Sequence, residues 1–153
     1  MSQPFKFMMG QFEAVFPADR LYSRRHLWLQ PTDSSNIFRV GFTAYSVRLL
    51  QDVYFLEWSV DEGATVRDRQ EIGEIESAKA VSSMFPPCQG QIVRFNPELL
   101  RDPSGINADY YNQGWLYEFT PQAELLSVEQ YIQFLESAWE DAQRTIKGQM
   151  NEG

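Results

Sequence analysis

The chain has one cysteine, Cys88, and one histidine, His26, among 153 residues. A single cysteine excludes an intrachain disulfide, and together with a single histidine it leaves no cluster of metal-ligand type. Neither a nucleophile elbow of the Gly-x-Ser-x-Gly kind nor any other catalytic constellation is present. The sequence therefore predicts neither an independent enzyme nor a metal site. Positive charge is also scarce: 13 Lys and Arg stand against 21 Asp and Glu, a net charge of −8. With no basic stripe, nucleic acid and anionic membrane are excluded as expected partners. No apolar run approaches a membrane-spanning length. The first residues, with Lys6 as the one early positive charge, do not read as a secretory signal. A cytoplasmic location is the expectation. Cys88, beside Pro86 and Pro87, reads as a quiet, partly buried thiol; the alternative is a redox partner for a nearby cofactor.

Apolar residues make up 43%, charged residues 22% and aromatics 14% of the chain, enough for one core and one body. Four segments are expected. Residues 1–20 form an aromatic N-terminal extension, with Phe5, Phe7, Phe12 and Phe16, packed on the body or on a second copy. Residues 21–120 are strand-rich, residues 121–148 hold a C-terminal helix packed on the body, and residues 149–153 are a flexible tail. Strands are predicted over 27–29, 37–42, 53–58, 71–76, 81–85, 90–95 and 114–119. Short helices are predicted over 44–50 and 96–100. In strand 53–58, Val53, Phe55 and Glu57 share one face and Tyr54, Leu56 and Trp58 the other. The C-terminal helix carries Val128, Tyr131, Ile132, Leu135, Trp139, Ala142 and Ile146 at helical spacing. It opens on a Ser127…Gln130 capping box and stops at Gly148.

Lys79 stands out within Glu76-Ser77-Ala78-Lys79-Ala80. Small residues on both sides leave its ammonium unshielded between two strand-like runs, the arrangement of a presented hairpin tip. A lysine in a turn is ordinarily a solvated charge; the flanking pattern raises this one above that background.

These residues resemble the glycine cleavage H-protein family of lipoyl carriers. His26 and Trp28 match the family's His-Glu-Trp, Gly41-Phe42-Thr43 its Gly-Ile-Thr, and Glu76 to Ala80 its Glu-Ser-x-Lys-Ala. Pro87, Gly90, Asn96, Pro103, Ile106-Asn107 and Gly114-Trp115 follow in order. The resemblance implies a mainly β barrel-sandwich hybrid with short helices and a C-terminal α-helix. It implies lipoic acid covalently bound at Lys79, with Glu76 helping the lipoate-attaching enzyme recognise the tip. It also implies a cleft formed by Arg24, Arg25, His26, Leu27 and Ser83, where His26 is a hydrogen-bonded structural residue. A biotin carrier of similar fold has methionines beside its lysine, where Ala78 and Ala80 stand here.

Two departures bear on the cargo. The family holds a cationic aminomethyl group near two acids, and Leu27 and Ser83 occupy those positions. A buried ammonium without carboxylate partners is costly, while Arg24 and Arg25 favour anions. The chain therefore looks more like the lipoate-binding proteins that serve sulfur-compound oxidation beside a heterodisulfide reductase-like complex. The alternatives are a glycine cleavage carrier working between glycine decarboxylase and aminomethyltransferase, and a binding module of the same fold that never receives lipoate. Dihydrolipoamide dehydrogenase is an expected partner of a lipoylated chain. The plainer reading of the two arginines is solvated surface charge, and of Leu27 a core filler.

Overall fold

The computed structural model describes residues 5–152, with side chains for residues 5–140. Two sheets enclose the main core. A six-stranded sheet has the order β3 (Leu21–Tyr22), β4 (Leu27–Pro31), β5 (Phe38–Phe42), β11 (Tyr117–Pro121), β10 (Gly90–Phe95) and β7 (Thr65–Val66). A three-stranded sheet has the order β6 (Val53–Trp58), β8 (Gly73–Ser77) and β9 (Val81–Met84). Leu29, Val40, Ile92 and Phe119 from the first pack with Val53, Ile75 and Met84 from the second in one buried cluster. Mainly β with a C-terminal helix, this is the architecture expected from the sequence.

Close cross-strand packing explains one glycine. Trp28 is fully buried and pairs with Gly41 across β4 and β5. A Cβ on Gly41 would come within 2.4 Å of the indole, so only glycine admits the ring there.

Strand β6 departs from simple alternation. A bulge between Val53 and Phe55 makes Tyr54 an extra residue against β8. Val53 and Leu56 consequently both point inward, while Tyr54 and Phe55 face out at 62% and 37% exposure. The face assignment expected from strict alternation fails at the bulge: Val53 does not share a face with Phe55 and Glu57, nor Tyr54 with Leu56.

Residues 5–16 are not an irregular extension. They form a hairpin of β1 (Phe5–Met9) and β2 (Phe12–Phe16), closed by Gly10-Gln11, with Gly10 at φ 64°. Phe7, Met9, Ala14 and Phe16 face a second core. That core also takes Trp28, Tyr45 of α1 (Ala44–Leu50) and three residues of α4 (Val128–Glu152): Val128, Tyr131 and Leu135. Ile132 and Trp139 are half-buried beside it. The side chains of Ala142 and Ile146 lie outside the described residues.

The α4 capping box forms as expected: the Ser127 N–H donates to Gln130 Oε1 at 2.9 Å and the Gln130 N–H to Ser127 Oγ at 3.2 Å. The far end differs. The helix continues through Gly148 to Glu152, past the stop and into the segment expected to be a tail. A glycine inside a helix costs only about 1 kcal/mol relative to alanine, and no proline follows to force an end. Gly153 is outside the described residues. Among those described, no helix is long and apolar enough to cross a membrane.

Candidate functional site

The β8–β9 hairpin presents Lys79 at its tip, and the side chain is exposed. The turn is built by Ser77, which is itself buried. Its hydroxyl accepts the N–H of Lys79 at 3.2 Å and that of Ala80 at 3.3 Å, and its own N–H donates to the Ala80 carbonyl at 2.9 Å. Ser77 thus holds the turn through its side chain as well as its backbone. Among the described residues no carboxylate forms an ion pair with Lys79.

The tip is also tied to the body. The Ala78 N–H donates to the Asp52 carbonyl at 2.8 Å. The segment holding Asp52 is clamped by Asn107, from the short helix α3 (Gly105–Ala108). Asn107 Oδ1 accepts the Val53 N–H at 2.8 Å, and its Nδ2 donates to the Gln51 carbonyl at 2.6 Å. Gln51 sits at φ 62° and ψ −146°, a positive-φ conformation that residues other than glycine seldom adopt, beside this clamp. In the sequence Asn107 is legible only as part of a matching dipeptide, because its role depends on contacts 54 and 56 residues away along the chain.

Glu76 lies on the outer face of the same sheet, in register with Phe55 on β6 and Val81 on β9. Phe55 and Val81 are exposed. Glu76 is therefore a carboxylate between two apolar side chains, three residues from the tip lysine.

Beside β9 opens a cleft of about 280 Å³. Its walls are apolar, with Leu27, Leu49, Leu50, Ile72, Ile75 and Met84; Arg25, Ser82 and Ser83 also line it. Ser82 is three residues from Lys79, at most about 10 Å away even if the chain were fully extended, so a long group on the lysine reaches the opening.

Of the five residues expected at the cleft, Arg25, Leu27 and Ser83 line it, and Arg24 and His26 do not. Arg24 is exposed, with its guanidinium 5.9 Å from the Phe134 ring. His26 turns the other way, into the second core, because its backbone adopts φ 65°. Its Nδ1 is 2.9 Å from the Tyr131 hydroxyl and its ring stacks on Tyr45 at 4.4 Å. Burial lowers its pKa to about 4, which keeps the imidazole neutral.

Two carboxylates alter the local electrostatics in ways position-by-position reading missed. Asp68 pairs with Arg25 at 3.5 Å, and Arg25 also lies over Phe85 at 4.9 Å. Glu71 accepts a hydrogen bond of 2.9 Å from the Ser83 hydroxyl. The arginine is thus partly neutralised, and the position without an acid has one bonded to it. Cys88 is buried, and burial pushes its thiol up, away from the reactive thiolate form.

The chain matches the model of the glycine cleavage H-protein family over residues 20–138. It is 36% identical to the glycine cleavage system H protein of Thermobifida fusca over 78% of this chain and 95% of that one. It is 38% identical to that of Corynebacterium jeikeium over 76% and 94% of the two chains. The crystal structure of a glycine cleavage system H protein from Mycobacterium marinum superposes with a TM-score of 0.66 at 36% identity, covering 76% of this chain and 95% of that one. These comparisons fit the glycine cleavage alternative better than the sulfur-oxidation role expected from Leu27 and Ser83. This chain belongs to the glycine cleavage H-protein family, whose members are carriers rather than catalysts and hold lipoic acid covalently on a lysine.

Proposed function

We propose that Lys79 is the lipoyl attachment site and that the chain carries the aminomethyl group between glycine decarboxylase and aminomethyltransferase. The observation that carries this reading is an exposed lysine, without an ion-pair partner among the described residues, on a Ser77-built turn beside an apolar cleft. When bound, lipoate supplies a reducible disulfide and a sulfur that can be loaded. The protein contributes placement. Ser77 fixes the backbone at Lys79, Asn107 ties the tip to the body, and Leu27, Leu49 and Ile75 offer the arm an apolar seat. Glu76, between Phe55 and Val81, is the feature a lipoate-attaching enzyme reads. Dihydrolipoamide dehydrogenase would reoxidise the reduced arm, and a cytoplasmic location goes with these partners.

Leu27 supports a second reading. It leaves the cleft wall without the acid that a cationic load would meet there, which favours a sulfur-bearing load passed to a heterodisulfide reductase-like complex. The Glu71–Ser83 and Asp68–Arg25 contacts weigh against that reading.

Intact mass spectrometry after incubation with lipoate, ATP and a lipoate ligase tests the attachment: one lipoyl group on the wild type and none on Lys79→Ala. A wild type that no ligase modifies would reject the carrier reading. Loading of the lipoylated protein by glycine decarboxylase, compared with a standard H protein, decides between the two cargoes.

A further inference from the structure

One wall of the cleft is the seven-residue helix α1, which contributes Ser46, Leu49 and Leu50. Two turns of helix are too short to hold their own position. The back of α1 is held by the N-terminal hairpin, which lies before the residues that match the family. Strand β2 lies against α1, and β1 against α4. The Arg48 guanidinium sits 4.6 Å over the Phe12 ring. The Tyr45 ring is 6.5 Å from that of Phe7. Tyr111 links the two elements directly: its hydroxyl donates to the Val15 carbonyl of β2 and accepts the Ala44 N–H of α1 at 3.0 Å. Ala44 is the first residue of the helix, so this bond satisfies a donor that has no partner within it.

We propose that the β1–β2 hairpin is a brace that sets the position of α1, and thereby the width of the cleft in which the lipoyl arm rests. Phe12, Phe7 and Tyr111 are its positioning residues. They act from behind the wall, and none of the three is among the residues that line the cleft. The inference rests on the reading of the cleft as the seat of the arm. It adds that this chain fixes the seat with a segment of its own outside the family match.

The test uses two measurements on the full chain. In the unmodified protein, amide exchange is followed at Val47 and Gln51, whose N–H groups form the α1 bonds to Thr43 and Val47. In the lipoylated protein, the rate at which a water-soluble phosphine reduces the dithiolane reports how well the cleft shields the arm. Phe12→Ala and Tyr111→Phe should each speed both processes roughly threefold or more, as a shift toward an open wall requires. Phe12→Tyr, which keeps the ring, and Met8→Ala, on the exposed face of the hairpin, should leave both unchanged. A general loss of stability does not mimic this pattern, because exchange in β10 and β11 must stay as in the wild type. Faster exchange at α1 with an unchanged reduction rate overturns the brace. So does unchanged exchange. A wild-type arm reduced as fast as free lipoamide overturns the cleft as its seat instead.

Discussion

The Ser83 hydroxyl donates a 2.9 Å hydrogen bond to the Glu71 carboxylate, joining two residues twelve apart across the end of the β8–β9 hairpin. Position 83 thus has a carboxylate bonded to it although its own side chain is neutral. A cation on the lipoyl arm would meet Glu71 there. Both partners are exposed, so the effect is limited by solvent screening.

The first prediction follows from that contact. Glu71→Gln should lower glycine-dependent loading of the lipoylated protein by no more than about fivefold, the upper range for an exposed charge. Ser83→Asp alone should bring no improvement, because it sets two carboxylates side by side and raises the cost of ionising both. Initial loading rates with glycine decarboxylase, at low and at high salt, check both variants. A Glu71→Gln protein that loads like the wild type at low salt would remove Glu71 from the site.

Much of this architecture was legible in the sequence because it is local. Helix α1 and strands β6 and β10 begin and end where periodicity and turn residues placed them. The Ser127–Gln130 cap and Asn96, whose side chain accepts the Glu98 N–H at 3.1 Å to start α2 (Pro97–Arg101), were equally local signals. What was hidden depends on long-range contact or on one backbone angle. The hairpin of residues 5–16 is hard to read from periodicity because apolar residues stand on both of its faces: Met8 points out, while Phe7 and Met9 point into the second core. The Tyr54 bulge shifts the phase of β6 without any glycine to announce it. His26 turns away from the cleft at a positive φ, which is uncommon outside glycine and which the sequence alone does not announce. Glu71 and Asp68 act on Ser83 and Arg25 across the fold, a pairing that no alignment of single positions shows.

A second prediction concerns the clamp behind the lysine tip. Asn107→Ala removes one acceptor and one donor that hold residues 51–53. The Val53 N–H is left without that partner on a buried residue. Stability should fall by about 1–3 kcal/mol. Amide exchange at Val53 and Ala78 should rise more than elsewhere, since Ala78 donates to Asp52 in the same segment. Denaturant unfolding and residue-resolved exchange provide the two readouts. Uniform exchange changes would mean that Asn107 supports the body rather than the tip.

The third prediction is a pH dependence at His26. Burial lowers its folded pKa to about 4 from the ordinary 6.5. Between those values the unfolded chain takes up a proton that the folded chain refuses. The stability linked to a neutral His26 is therefore complete above about pH 6.5 and fades as the pH falls toward 4, by about 3 kcal/mol in all. His26→Asn, a residue that tolerates the left-handed backbone, lacks this proton. It should be less stable than the wild type at pH 7, with the gap closing toward pH 4. Carboxylate titrations common to both proteins cancel in the difference. Parallel stability curves from pH 7 to pH 4 would show that the imidazole is not held neutral.

The fourth prediction concerns Tyr117, a fully buried tyrosine among those lining the cleft. Its ring packs edge-on against Trp58 at 5.5 Å and Phe119 at 5.9 Å. Its hydroxyl has no hydrogen-bond partner among the described residues. A buried hydroxyl without a partner carries its desolvation cost uncompensated, of the order of 1–3 kcal/mol. Burial also raises its pKa, so it stays protonated throughout the physiological range. Tyr117→Phe keeps the ring contacts and removes the one polar atom. The unmodified protein should gain up to about 1 kcal/mol, read as a higher denaturation midpoint with an unchanged slope. The gain falls short of the full desolvation cost because the vacated volume leaves a small void. A substitution that destabilises the unmodified protein by more than about 1 kcal/mol would show that the hydroxyl is satisfied in solution, by a buried water bridging it to the protein.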